Sequence, residues 1–182
     1  SLPDCLICPK LEILLLAENE VFEVIPEGFL LGMPTIRVLE LSEKIGARSL
    51  NRYFEPDKWT SMPSSSFKLP SSFEALVNLR TLHLNHCKLD DVAILGKLKR
   101  LEVLSFYGCD IEELPNEIGE LVNLRSLDLN FCQKLKTVPA TLISRLSRLE
   151  ELYMWESFHQ WAIQGMVEDT SKACLSEITS LS

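Results

Sequence analysis

The sequence has no apolar run long enough to cross a lipid bilayer. Its longest apolar runs, such as ILLLA at 13–17, fall far short of the roughly 20 residues that a spanning helix needs. We therefore expect no membrane span. The amino terminus, SLPDCLICPK, lacks the basic start, apolar centre and small-residue cleavage site of a secretory signal. It also lacks an initiator Met, so the chain is expected to be a fragment of a longer protein.

A surplus of basic residues is also missing. Lys and Arg number 18 against 26 Asp and Glu, which gives a formal net charge of -8. Such a chain repels a phosphate backbone unless its basic residues gather on one face, and the sequence shows no such face. We therefore predict no nucleic-acid partner. There is no N-x-Ser/Thr glycan acceptor, and the 6 cysteines of this Leu-rich chain favour reduced thiols in an intracellular setting over a disulfide framework.

The motifs of common catalytic sites are absent as well. There is no G-x-x-x-x-G-K-[ST] phosphate loop and no G-x-S-x-G elbow. The stretch HLNHC at 83–87 resembles a metal cluster, but the strand alternation directs His83 outward and Cys87 inward, so the two cannot share one tetrahedral ion. CLIC at 5–8 has redox spacing without the βαβ context that such a pair needs. We predict no enzyme activity, no metal and no catalytic residue.

A repeated sequence motif is the dominant feature of the chain. The pattern L-x-x-L-x-L-x-x-(N/C) is typical of leucine-rich repeats, and the last four copies start 22, 23 and 25 residues apart. Alternating leucines, as in LRTLHL, indicate short strands, and Pro115 and Pro139 begin the return segments. The fold class predicted is an α/β solenoid, a leucine-rich-repeat horseshoe with a parallel concave sheet and an irregular or helical convex side. The six repeat starts are Leu11, Ile36, Leu79, Leu101, Leu124 and Leu149.

We interpret residues 1–182 as one repeat-domain fragment that is interrupted twice. An insertion of about 45–68 separates the second and third repeats, and an irregular tail occupies 157–182. The insertion is locally basic and aromatic, so it is either a surface excursion or a partner-contacting loop with Arg48, Arg52 and Trp59 as the candidates.

Three cysteines recur at the turn that ends the motif. Many repeat proteins place an inward Asn there, as Asn19 does in the first unit, whereas Cys87, Cys109 and Cys132 fill the position in three later repeats. Stacked coils lie about 4.8 Å apart, so a disulfide is geometrically allowed. We favour a buried ladder of reduced thiols with a structural role.

The variable positions of the motif predict a partner-binding surface. They line the concave side of a solenoid in columns, and aromatic residues with polar neighbours are typical of binding hot spots. The alternative for the most distal aromatic residue, Trp155, is that it folds under the tail. The predicted contact residues are His83, Asn85, His86, Ser105, Tyr107, Asp128, Asn130, Phe131, Tyr153 and Trp155.

The amino-acid sequence of the later repeats resembles that of a known protein family. The passages LRTLHLNHCKLDDVAILGKLKRLEVLSFYGCDIEELP and LPNEIGELVNLRSLDLNFCQKLKTVPATLISRLSRLEELYMWESFHQW resemble the repeat region of plant coiled-coil nucleotide-binding leucine-rich-repeat disease-resistance proteins. The resemblance implies an intracellular sensor that recognises a pathogen effector or a guarded host protein and restrains the nucleotide-binding module of the same chain. ADP or ATP is expected only in that absent module. The implied location is cytoplasmic, with nucleocytoplasmic or peripheral plasma-membrane placement as variants.

Two other classes of repeat protein stay open. A cell-surface repeat receptor would typically show glycan acceptors and a G-x-I-P phrase, neither of which occurs here. A stand-alone cytoplasmic scaffold would favour regular 23-residue units with Asn at the turn, and the irregular units and cysteine turns count against it.

Overall fold

The computed structural model describes residues 2–19, 25–43, 68–139 and 141–157. Within these ranges the chain forms one six-stranded parallel sheet whose strand order follows the sequence. Most of the predicted insertion, and the tail beyond 157, lie outside the described residues. The strands are β1 Ile13–Asn19, β2 Val38–Glu43, β3 Thr81–His83, β4 Val103–Ser105, β5 Ser126–Asp128 and β6 Glu151–Tyr153.

Every strand begins two residues after a repeat start read from the sequence. The register places the second leucine of each repeat beside its equivalent in the next, so that Leu39, Leu82, Leu104 and Leu127 form one continuous stack. All four side chains are fully buried. A one-residue slip would move this stack to the open face, and burial of the leucines therefore fixes the register.

The return segments are short helices that prolines help to begin. Pro70 and Pro115 lie directly before two of them with φ of -69°, the value that the pyrrolidine ring imposes, and their carbonyls accept the first helical N–H bonds. Pro139 accepts a comparable bond from the N–H of Leu142. The returns contain the 3-10 helices Ser71–Ala75, Ala93–Lys97 and Asn116–Glu120 and the α-helix α1 Leu142–Arg145.

The buried faces of strands and returns close on one hydrophobic cluster. Leucines predominate in it, with Phe73 and Phe106 among its largest fully buried side chains. None of the helices in the described ranges combines the length and apolar character that crossing a membrane requires.

The turn cysteines bind the coils to one another. Cys87, Cys109 and Cys132 are buried as thiols, and each donates a hydrogen bond to a main-chain carbonyl of the preceding coil. The donor–acceptor distance is 3.3 Å for Cys87 and 3.0 Å for Cys132. A weak donor that satisfies a buried carbonyl is a structural role. The acceptors, in chain order, are the carbonyls of Leu41, Leu84 and Phe106.

Burial of these thiols predicts a loss of stability in alkali. Desolvation raises the pKa of the Cys109 thiol well above its ordinary value, because burial disfavours the thiolate. The folded chain therefore keeps a proton that the unfolded chain releases above about pH 8.5. The contribution of Cys109 to the free energy of unfolding is complete below that pH and falls above it by at most about 1.4 kcal/mol per pH unit.

Urea unfolding between neutral pH and about pH 10 measures this effect. Cys109→Ala is the reference, and its free energy of unfolding should decline less steeply with pH than that of the original chain. Identical slopes for the two proteins would contradict the assignment of this linkage to Cys109.

Candidate partner-binding surface

Two rows of side chains project from the open face of the sheet, opposite the leucine stack. The strand register defines them, and neighbours within a row lie on strands about 4.8 Å apart. The first row was not among the predicted contact residues, although it follows from the same motif two residues earlier. It contains Ile13, Val38, Thr81, Val103, Ser126 and Glu151. The second row contains Leu15, Glu40, His83, Ser105, Asp128 and Tyr153.

Exposure along these rows is greatest at the two ends of the sheet. On β1, Ile13 and Leu15 are 57% and 58% exposed. At the other end, Tyr153 on β6 is 46% exposed, and Trp155, just beyond the strand, is 63% exposed. The open face therefore presents apolar side chains on β1 and aromatic ones on and after β6, and the described Trp155 ring is displayed rather than buried.

Two of the predicted contact residues have buried side chains. Ser105 and Phe131 are buried, whereas the prediction had placed both among residues facing a partner. The Ser105 hydroxyl donates a hydrogen bond of 2.8 Å to Oδ1 of Asn85. Ser105 therefore belongs to the second row but is covered by its neighbours, and the Phe131 side chain is covered as well.

Polar side chains of the open face also hold the turns that follow the strands. Oγ of Ser105 accepts a bond from the N–H of Tyr107 at 3.3 Å, and Oδ1 of Asp128 accepts one from the N–H of Asn130 at 2.9 Å. Oδ1 of Asn130 in turn accepts the N–H of Trp155 in the next coil at 2.7 Å. The backbone that presents the Trp155 ring is therefore fixed by the preceding repeat.

Four rings run across the coils beside the open face, and we name them the aromatic ridge: His86, Tyr107, Phe131 and Trp155. Successive ring centroids are 5.3, 5.1 and 5.0 Å apart, with interplanar angles of 79°, 62° and 70°. This edge-to-face geometry suits the ring quadrupoles. These rings come from two different positions of the repeat motif, and the structure interleaves them in one line.

The turn backbone explains the interleaving. The residue at the seventh position after the repeat start has positive φ in four coils: 59° for His86, 68° for Gly108, 61° for Phe131 and 51° for Glu156. Only glycine adopts this left-handed region without steric cost. The ridge takes its rings alternately from this position and from the one before it. Hydrophobic periodicity does not report this conformation, so the sequence pattern did not reveal the ridge.

The two rows of the open face carry a net negative charge. Neither row contains Lys or Arg, and the acidic side chains on it and at its rim are Glu40, Asp128, Glu151 and Glu156. At the entry to the strands, Arg80 pairs with Glu102 at 2.5 Å and Arg125 pairs with Glu150 at 2.9 Å. The hydrogen bonds that the Arg125 guanidinium donates to the Glu150 carboxylate raise the pKa of Arg125. These arginines therefore bind acids of the neighbouring coil.

The remaining ion pairs also join neighbouring coils. Lys99 pairs with Glu120 at 2.6 Å, and Lys136 pairs with Glu112 at 2.7 Å. Because each lysine donates a hydrogen bond to its partner, the pKa of each of these glutamates is lowered. Exposed pairs of this kind add little stability individually.

Arg48, Arg52 and Trp59 of the insertion lie outside the described residues. Within the described ranges, no three His, Cys, Asp or Glu side chains stand close enough together to hold a metal ion.

Comparison with known proteins identifies the class. A family model described as a leucine-rich repeat region matches residues 46–171, and the chain belongs to this family of binding scaffolds. The chain is also 36% identical over 184 residues to the disease resistance protein At4g27190 of Arabidopsis thaliana. That alignment covers 100% of this chain and 17% of the relative. The resemblance to plant disease-resistance proteins is thereby confirmed.

Solved structures confirm the repeat fold. The structure of PEPR1 with AtPEP1 aligns with a TM-score of 0.58 and 25% identity, over 80% of this chain and 18% of PEPR1. The Arabidopsis receptor kinase HAESA, solved with the peptide hormone IDA and the co-receptor SERK1, aligns with a TM-score of 0.56 and 22% identity, over 87% of this chain and 22% of HAESA. The chain spans only about a fifth of each relative.

Proposed function

We propose that this chain is the partner-recognition region of an intracellular plant immune receptor. It recognises a pathogen effector or a guarded host protein through the open face of its sheet. The observation that carries the proposal is the display of Tyr153 and Trp155 beside that face, in a chain related to a plant disease resistance protein. Exposed aromatic side chains with polar neighbours are the residues that dominate the energy of protein interfaces.

The support beneath these rings favours tight binding. The main chain of Trp155 is held by Asn130, and its ring packs against Phe131 with 5.0 Å between centroids. A side chain that is already ordered loses little conformational freedom when a partner binds. The aromatic end of the open face is therefore prepared for contact before the partner arrives.

Recognition is coupled to signalling through a neighbouring module of the parent chain. In this proposal the repeats hold a nucleotide-binding module inactive, and ADP or ATP belongs to that module alone. A partner that binds one of the two receptor states more tightly shifts the population toward it. The module and the switch come from the resemblance to coiled-coil nucleotide-binding disease-resistance proteins.

An intracellular location is part of the same proposal. The buried cysteines at the turns are thiols, and each serves as a hydrogen-bond donor in this reduced form. The sequence contains no N-x-Ser/Thr acceptor. A reducing compartment preserves such thiols, which favours the cytoplasm over the cell surface.

The double substitution Tyr107→Ala with Trp155→Ala in the full-length parent receptor tests the proposal. We expect it either to abolish effector-triggered cell death or to produce cell death without an effector. Loss of hot-spot rings should weaken partner binding by at least about tenfold. Ion leakage from leaf tissue, with and without the effector, is the measurement.

A matched control removes apolar surface away from the open face. Val77 and Val122 are exposed residues that precede β3 and β5, and Val77→Ala with Val122→Ala should leave both responses unchanged. Unaltered cell death in both assays for the aromatic double variant would contradict the proposed role of the surface.

A further inference from the structure

The aromatic end of the open face combines exposed rings with carboxylates. Asp128 on β5 lies directly beside Tyr153 on β6 in the strand register, and Glu151 lies two residues before Tyr153 on the same face. Tyr153, Trp155, Glu151 and Glu156 are all exposed, and Asp128 is half-buried. Ring faces and acceptor oxygens therefore lie side by side on an open sheet.

Among the residues that the structure describes, the charge on this part of the face is not neutralised by ion pairing. None of the ion pairs formed within the described ranges involves Asp128, Glu151 or Glu156. Arg125 acts electrostatically on Glu151, but its guanidinium is hydrogen bonded to the neighbouring Glu150. The face therefore complements a cationic partner.

The geometry around Asp128 shows what its carboxylate can still accept. Oδ1 receives the N–H of Asn130 at 2.9 Å, and among the described residues Oδ2 is approached by the hydroxyl of Ser105 at 3.5 Å. A carboxylate oxygen can accept more than one hydrogen bond. Oδ2 therefore has capacity for a strong donor beside the Tyr153 ring.

Arginine is the side chain that uses both features. Its planar guanidinium stacks on aromatic faces and donates paired hydrogen bonds to a carboxylate, whereas the lysine ammonium is a compact and strongly hydrated charge. We propose that the face formed by Asp128, Glu151, Tyr153, Trp155 and Glu156 binds an arginine-containing segment of a partner protein. A guanidinium stacks on an exposed ring and is hydrogen bonded to a neighbouring carboxylate. This inference rests on the proposed function, because it names the chemistry of the recognised protein.

Fluorescence anisotropy with labelled peptides tests the inference on the 182-residue chain. The probes are peptides of alternating arginine and glycine, of lysine and glycine, and of citrulline and glycine. Citrulline keeps the planar shape of arginine without its charge. We expect the arginine peptide to bind most tightly and the citrulline peptide to bind weakest.

The decisive variant is Asp128→Asn with Glu151→Gln. Asparagine keeps the Oδ1 acceptor that holds the N–H of Asn130, so the surface should stay folded. We expect binding of the arginine peptide to weaken by roughly tenfold. The control, Glu113→Gln with Glu117→Gln, removes the same charge from exposed residues of a return segment. It should change binding by less than about twofold, which separates a defined face from general attraction to an acidic chain.

Three results with these peptides and variants would overturn the inference: no binding of the arginine peptide, equal binding of the lysine or citrulline peptide, or equal weakening of arginine-peptide binding by both double variants. Stronger binding of the arginine peptide by the variant Arg48→Gln with Arg52→Gln would also overturn it, because this chain's own insertion would then be the occupant. Loss of receptor output on substitution of Tyr107 and Trp155, without arginine binding, would sink this inference and leave the proposed function standing. Arginine binding at this face, together with unaltered output of the receptor in which Tyr107 and Trp155 are substituted, would contradict the proposed function and leave the arginine-binding face standing.

Discussion

Leu104→Ala should lower the free energy of unfolding by about 2–5 kcal/mol. Leu104 is fully buried at the centre of β4, and its register neighbours are Leu82 and Leu127. Removing the side chain leaves a cavity between two coils. Because coils in a solenoid gain stability from their neighbours, the damage weakens both adjoining interfaces.

Urea unfolding followed by circular dichroism measures this loss, with Val103→Ala as the control. Val103 is the adjacent residue on the open face and is only half-buried, so its truncation should cost less than about 1.5 kcal/mol. If Leu104→Ala prevents folding altogether, the milder Leu104→Val should still show the greater loss. Equal losses at the two positions would mean that the leucine stack does not dominate the stability of the sheet.

Gly96→Ala is expected to destabilise the chain by about 1–3 kcal/mol, because the space for a side chain is already filled by backbone. An added Cβ would lie 2.8 Å from Cβ and 2.9 Å from the carbonyl carbon of Glu117 in the next coil, and it would overlap the carbonyl oxygen. The return segments of two coils must therefore separate to accommodate one methyl group.

Gly119 provides a matched control at the equivalent position one coil later. The atoms nearest to a Cβ there belong to the side chain of Arg145, with Nε at 3.3 Å and Cδ at 3.4 Å, and this long side chain can move. Gly119→Ala should be neutral, or stabilising by up to about 1 kcal/mol through a less flexible unfolded chain. Thermal unfolding of both variants compares the two sites. A similar loss at both would exclude the Glu117 backbone as the cause.

The strand positions were predictable because one strong force sets them. Each predicted start, from Leu11 to Leu149, lies two residues before an observed strand, since this register turns the leucines of the repeat motif toward the core. The role of the prolines that begin the return segments was equally predictable from the sequence, because the φ of proline is restricted by covalent geometry.

Side-chain exposure on the open face was less predictable. The motif directs Ser105 toward solvent, yet Ser105 is buried with its hydroxyl bonded to Asn85. Phe131 lies in a left-handed turn and packs between Tyr107 and Trp155, so its ring is covered as well. These outcomes depend on contacts with the neighbouring coils, which a pattern read within one repeat does not contain.

The thiol bonds of the turns all point in one direction along the solenoid. Each of Cys87, Cys109 and Cys132 donates to the coil before its own, so each sulfur lies at one particular seam between two coils. A buried thiol can be alkylated only while its surroundings open transiently. The alkylation rate of each sulfur therefore measures how often the interface between two coils opens. The three cysteines together are natural probes for local opening along the chain.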